Sequence, residues 1–200
     1  MALQSRWSEP KTIEETYSVS EQDVDDDGGK CMVAVNWLLG EAADYETRLG
    51  LQILDYILIG TSASPLRKAL IDSGLGEDLT GGGMETELRE IFFSVGLKGV
   101  AQEDEKRVEA LVIETLESLA RDGIDQETIR ASLNTVEFRL RENNTGSYPR
   151  GLILMLRSLS RWLYDEDPFV PLTFEKPLAD VKALGESDTG YFEALIRDHL

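Results

Sequence analysis

A chain of 200 residues with 20 Lys+Arg against 38 Asp+Glu carries a formal charge of −18. That length holds one compact core, and such a field repels nucleic acid and anionic membrane while favouring cationic partners. Cys31 is the only cysteine, which excludes an internal disulfide, and no run is long and apolar enough to span a bilayer.

Residues 1–10 read as a linker arriving from a preceding segment, with Trp7 expected to dock on the domain or its neighbour, and residues 11–200 as a single domain. MALQSRWSEPK reads as neither a signal peptide nor a convincing transit peptide. Lys11 to Ser18 alternates Thr12, Glu14 and Thr16 with Ile13, Glu15 and Tyr17. The alternation predicts a strand, and the polar content an edge or a wet face. Glu21 to Gly29 is an acidic turn. Asp23, Asp25 and Asp27 with Gly28 match the first half of a calcium loop, but the twelfth position, where a bidentate Glu belongs, is Ala34. Calcium is a weak candidate beside a solvated hairpin connection. Lys30 to Leu39 is apolar on both faces and predicts a central strand covered on both sides, with Cys31 a small buried side chain.

Tyr45, Leu49, Ile53, Leu54, Ile57 and Leu58 recur at helical spacing and form a stripe too apolar for a solvated helix. Gly60 is expected to end this helix in a left-handed turn. Ser64-Pro65 opens the next helix, the hydroxyl capping and Pro at the first position losing no hydrogen bond. Gly74 and Gly76 close it. Gly81-Gly82-Gly83 lacks the Lys-Ser/Thr of a phosphate loop and reads as a flexible hairpin connection. Leu88 to Val100 predicts a long strand, with Ile91, Phe93, Val95 and Leu97 on one face.

Glu103 to Arg121 predicts a helix buried along Val108, Leu111, Val112, Thr115, Leu116 and Leu119. Gly123 closes it, and Asp125 caps an outer helix through Leu140. Arg141-Glu142-Asn143-Asn144-Thr145-Gly146-Ser147-Tyr148-Pro149-Arg150 is a dense polar stretch between apolar helices. As a plain connection it has the right turn residues. As a functional patch, Arg141, Asn143, Asn144, Tyr148 and Arg150 are the candidates. Arg150 to Tyr164 predicts a strongly apolar core helix through Leu152, Met155, Leu156, Leu159, Trp162 and Leu163. Leu178 to Leu184 and Tyr191 to Leu200 are short helices. The order of elements predicts α+β, a mainly antiparallel sheet with helices packed on one face.

No catalytic constellation is present. His199 is the only histidine, so any Ser-His-Asp or Cys-His arrangement would have to use it. Ser62 lacks the closing glycine of a nucleophile elbow.

Four blocks carry a resemblance: VNWLL (Val35 to Leu39), LDYILIGTSASPLRKALIDSGLG (Leu54 to Gly76), FFSVGLKGV (Phe92 to Val100) and RENNTGSYPRGLILML (Arg141 to Leu156). In them the chain resembles the presequence proteases, the single-chain branch of the pitrilysin/insulinase-like zinc metallopeptidases, closest to plant or algal organellar forms. The matching domain is the second, non-catalytic one of the N-terminal half. The resemblance implies a pitrilysin-like fold and a parent endopeptidase that encloses presequences and other unstructured, basic peptides. It implies partners in the catalytic N-terminal domain and the C-terminal half of the same enzyme, and a mitochondrial matrix or chloroplast stroma location. Zinc belongs to the parent. A pitrilysin-type site needs His-x-x-Glu-His, which one histidine cannot supply, so this segment alone is expected to bind no zinc and to be inactive. The rival implication is a stand-alone scaffold or binding protein of the inactive pitrilysin-like type.

Overall fold

A computed structural model describes residues 3–5, 7–18, 30–41, 45–187 and 190–200. Three strands, β1 (Lys30–Gly40), β2 (Asp78–Glu85) and β3 (Ile91–Ala101), form an antiparallel sheet in the order β1-β3-β2. Among the described residues there are seven helices: α1 (Tyr45–Ile59), α2 (Pro65–Asp72), α3 (Glu105–Asp122), α4 (Gln126–Glu142), α5 (Arg150–Trp162), α6 (Glu175–Glu186) and α7 (Tyr191–His199). The architecture is α+β, as the element order predicts. Helix α3 packs on β1 and β3, and α1 and α2 pack against β2.

The core forms where helical stripes meet the inward face of β3. Leu49, Ile53, Leu54, Ile57 and Leu58 of α1 meet Phe93, Val95 and Leu97, with Val108, Val112 and Leu116 of α3 closing the layer. Beyond it, Ile129 and Leu133, Leu178 and Val181, and Phe192, Leu195 and Ile196 bring α4, α6 and α7 into the same core. The break between α3 and α4 is held from outside its own sequence. Buried Glu193 of α7 accepts the Ile124 N–H at 2.8 Å. Asp125 caps α4 as predicted, accepting from the Thr128 N–H at 2.8 Å.

Several expectations are corrected. Lys11 to Ser18 joins no strand, and its Ile13 is 75 % exposed. Two apolar side chains in eight residues give neither face enough area to bury. Trp7 stays half exposed, with the Lys11 ammonium 5.2 Å from its ring. β3 is the central strand, not β1. β1 lies at the edge and alternates, with Met32, Ala34 and Asn36 exposed while Cys31, Val33, Val35 and Trp37 pack on the core. Gly60 does not take the left-handed conformation. The Ser64 hydroxyl caps nothing in α2 and instead accepts from the Thr61 N–H at 3.0 Å and donates to the Tyr56 carbonyl at 3.3 Å.

The triple glycine is strand, not loop. Thr80 pairs with Gly96 and Gly83 with Ser94, so Gly81 and Gly82 bulge out of β2. Gly81 and Gly83 take φ of +84° and +72°, a region where only glycine is unstrained. At Gly83 a Cβ would also sit 2.3 Å from Asp55 Oδ1.

The largest departure is α5. The stripe expected in the core faces outward: Leu152, Met155, Leu156, Trp162 and Leu163 are all exposed. The helix rests mainly on the 3-10 turn Val170–Leu172. Its one fully buried side chain is an arginine, Arg161.

Candidate functional site

The polar stretch between α4 and α5 folds locally from its own side chains. Asn143 stops α4 in the left-handed conformation at φ 45°, as Asn tolerates. Asn144 Oδ1 accepts the Gly146 N–H at 2.9 Å, and the Thr145 hydroxyl donates to the Tyr148 carbonyl at 2.7 Å. The result is a tight turn that carries Pro149 into the start of α5 with its φ already helical.

The candidates named from the sequence come together here, with unequal freedom. Arg141 Nε donates to Glu137 Oε1 at 2.8 Å, and Glu137 also accepts from Lys182 at 2.7 Å. These contacts, Lys182 first, hold the Glu137 carboxyl below its usual range. Arg150 reaches back, its Nη2 donating to the Glu142 carbonyl at 3.1 Å and so serving a free end of α4. Asn144 and Tyr148 are exposed. Asn143 Oδ1 is buried and has no hydrogen-bond partner among the described residues. The calcium candidates Asp23, Asp25 and Asp27 lie outside the described residues.

Next to this turn runs the outward stripe of α5, which sequence reasoning placed in the core. From Asn143 to Tyr164 the chain holds three arginines and no carboxylate, in a protein with 38 acidic residues. That local reversal of charge was a readable sign that this helix differs from the rest. Phe169, 68 % exposed, and Val170 extend the apolar surface beyond the helix.

Behind the stripe, the inner face of α5 carries Arg161 beside half-buried Ile153, Leu154 and Ser158. Arg161 Nη2 donates to the Thr86 carbonyl just past β2 at 2.7 Å, and Nη1 faces Glu166 Oε1 at 3.4 Å. Glu166 Oε2 lies 3.8 Å from Arg48 Nη2, so one carboxylate stands between two buried guanidiniums. Arg48 also lies over the Tyr45 ring, 5.3 Å from its centroid. Burial pushes the Tyr45 hydroxyl up, against the opposing pull of Arg48, Arg157 and Arg161.

A second buried titratable group escaped sequence reasoning. Asp55 sits in the middle of α1 and accepts the Met84 N–H at 3.0 Å. Burial pushes its carboxyl up to about 6, against the lowering effect of that hydrogen bond. A cavity of about 10 Å³, the size of one water, lies beside it among Leu39, Leu51, Leu54, Leu58, Met84, Phe93 and Leu200. A carboxylate between Leu54 and Tyr56 in an otherwise apolar stripe was the available signal.

These groups can grip an apolar chain and pair with its carboxylates or carbonyls. No nucleophile is activated by a base among them. Among the described residues, no three His, Cys, Asp or Glu side chains come together to hold a metal ion.

Comparison with known proteins gives the family. The family model of the peptidase M16 inactive domain matches residues 4–136. Presequence protease 1, chloroplastic/mitochondrial, of Arabidopsis thaliana is 49 % identical over 90 % of this chain and 17 % of its own length. The mitochondrial presequence protease of Xenopus laevis is 32 % identical over 82 % of the chain and 16 % of its own length. The chain thus spans about a sixth of these relatives. Among solved structures, the inactive peptidase domain of a protein described as a zinc protease of Bordetella parapertussis has the same fold. Its TM-score is 0.67 at 18 % identity, over 88 % of this chain and 90 % of that one. A protease of Helicobacter pylori gives a TM-score of 0.63 at 15 % identity, with 88 % of this chain covering 40 % of a longer one. The chain belongs to the M16 peptidase family, as an inactive domain of that family.

Proposed function

We propose that this chain is the non-catalytic second domain of a zinc endopeptidase of the presequence protease type. Its task is to complete and line the chamber in which unstructured peptides are cut. The zinc, the His-x-x-Glu-His motif and the hydrolytic chemistry belong to a catalytic domain elsewhere in the same polypeptide, and this segment alone neither binds zinc nor hydrolyses peptides. The partners are that catalytic domain and the C-terminal half of the enzyme, and the parent acts in a mitochondrion or chloroplast. Identity to organellar presequence proteases supports this reading.

The observation that carries the lining role is the outward face of α5. A domain that functioned alone would have little use for Leu152, Met155, Leu156 and Leu163 in water. An enclosed peptide with apolar side chains is the occupant that fits. Asn144, Tyr148 and Arg150 at the adjoining turn would then meet its backbone and carboxylates.

The test mixes this chain with a separately prepared zinc-bearing M16 domain and follows peptide hydrolysis. Activity should appear only in the mixture, and Leu156→Asp, an exposed change, should abolish most of it. Activity of this chain alone would overturn the assignment. Silence of the mixture, with the C-terminal half added, would favour the scaffold reading instead.

A further inference from the structure

We propose that Arg161 is a positioning residue whose buried charge holds α5 with its apolar stripe outward. An amphipathic helix on a protein surface ordinarily turns its apolar stripe inward, because burial of apolar area is the main driving force for docking. α5 does the opposite. Its stripe of Leu152, Met155, Leu156 and Leu163 is exposed, while Arg161 is 2 % exposed.

The contacts explain how this inverted docking persists. Arg161 lies near the C-terminal end of α5, on the face opposite the centre of the stripe. Its guanidinium is tied to the Thr86 carbonyl at 2.7 Å and faces Glu166 at 3.4 Å. The Glu166 N–H in turn bonds the Arg161 carbonyl at 3.3 Å, which fixes the chain leaving α5. To roll its stripe onto the domain, α5 would have to carry this guanidinium away from both partners. The Thr86 carbonyl would then lose its donor, and Glu166 would keep only Arg48, at 3.8 Å. Leaving a part-buried carbonyl without its donor costs more than the hydrogen bond returns when it forms. The arginine therefore acts against the alternative packing rather than for overall stability. A lysine has one ammonium in place of the planar fork, so it supplies the charge without holding both partners in register.

The use of the outward stripe rests on the reading above, but the orientation does not, and the experiment separates them. The probe is this chain with Arg161→Met, in which an apolar side chain of similar length replaces the pinned charge. Two measurements apply: fluorescence of an apolar-surface dye, and amide hydrogen exchange across Leu152–Leu159. If Arg161 holds the helix inverted, Arg161→Met loses most of the dye signal and slows exchange in α5, because the stripe turns inward. Hydrolysis in the mixture with the zinc-bearing domain should fall with it. If dye binding is unchanged or rises and α5 exchange quickens, Arg161 is only a structural tether and the proposal is overturned. Should Arg161→Met not fold, Arg161→Lys decides. There the same two readouts apply, with Arg161→Gln beside it as the uncharged variant: a dye signal lost in Arg161→Gln but kept in Arg161→Lys supports the proposal, and dye binding kept in both overturns it. Reoriented α5 with hydrolysis unaffected would leave the positioning role standing and refute the lining role of the stripe.

Discussion

Replacing Asp55 by Asn should stabilise the chain near neutral pH, which is unusual for removing a buried, hydrogen-bonded carboxylate. The carboxyl is pushed from 3.8 up to about 6 by burial, and its bond to the Met84 N–H does not compensate. A raised acid pKa means that the folded state holds the proton more tightly than the unfolded one. The stability from this group is therefore fully present below the unfolded value, falls as pH rises, and is lost once pH passes the folded value. At about 1.4 kcal/mol per unit, the whole loss is about 3 kcal/mol, discounted to about 2 for the partial exposure of the site. Asn retains an oxygen acceptor for Met84 and carries no charge to desolvate. Urea midpoints of both proteins across about pH 5 to 7.5 test this. The lower limit keeps clear of the isoelectric point near 4.4. The advantage of Asp55→Asn should widen by about 1 kcal/mol over that range and level off above about pH 7. An advantage that shrinks with pH, or a variant less stable at all pH values, would mean that the Met84 bond outweighs desolvation and the sign is wrong.

Gly83→Ala should cost about 1–2 kcal/mol or more in the same assay, since alanine is strained at φ +72° and its Cβ meets Asp55. Equal midpoints would show that the bulge does not need the glycine. Asp125→Ala removes the cap on the Thr128 N–H and should destabilise the chain, read as a lower Tm. The loss should shrink at acid pH, because hydrogen bonds from Thr128 hold this carboxyl below its usual range. Phe192→Ala, at a site 1 % exposed, should cost about 3–5 kcal/mol. A loss under about 1 kcal/mol would mean that α7 is not part of the cooperative core.

Periodicity read the core helices well because α1, α3 and α4 each bury the stripe that their spacing marks. It failed at α5 for a physical reason. The stripe Leu152, Met155, Leu156, Leu159 and Leu163 is as regular as that of α1, but periodicity names a face without naming what covers it. The deciding residue is Arg161, and whether a helical arginine faces water or a carbonyl 75 residues earlier is not a local property. β1 failed similarly, since Met32, Ala34 and Asn36 are permissive enough to sit covered or wet. The triple glycine was misread because a bulged edge strand and a loop use the same residue type for the same positive φ. The α4–α5 turn was legible, because Asn, Thr and Pro act there through bonds within a few residues. Its two arginines were legible as a pair but not as already engaged with Glu137 and the end of α4.

The net charge of −18 makes an acidic wall for basic peptides an obvious reading, yet the charge is not where the outward apolar stripe is. Exposed carboxylates line α3 at Glu109, Glu114 and Glu117. The α5 face offers Arg150, Arg157 and aliphatic side chains. On the reading proposed above, a peptide held on α5 would be gripped chiefly by apolar contact, with exposed carboxylates only past the helix ends, at Glu142, Asp165 and Asp167. Exposed charges beyond a Debye length of about 8 Å at physiological salt are largely screened. The affinity of such a peptide should change by no more than about threefold between about 0.05 and 0.5 M salt. Leu156→Asp should weaken it at least about tenfold, as loss of an apolar anchor does. Fluorescence anisotropy of a labelled peptide measures both. A steep salt dependence with no effect of Leu156→Asp would place the peptide on the carboxylates of α3, and α5 would have to be covered by protein rather than by substrate.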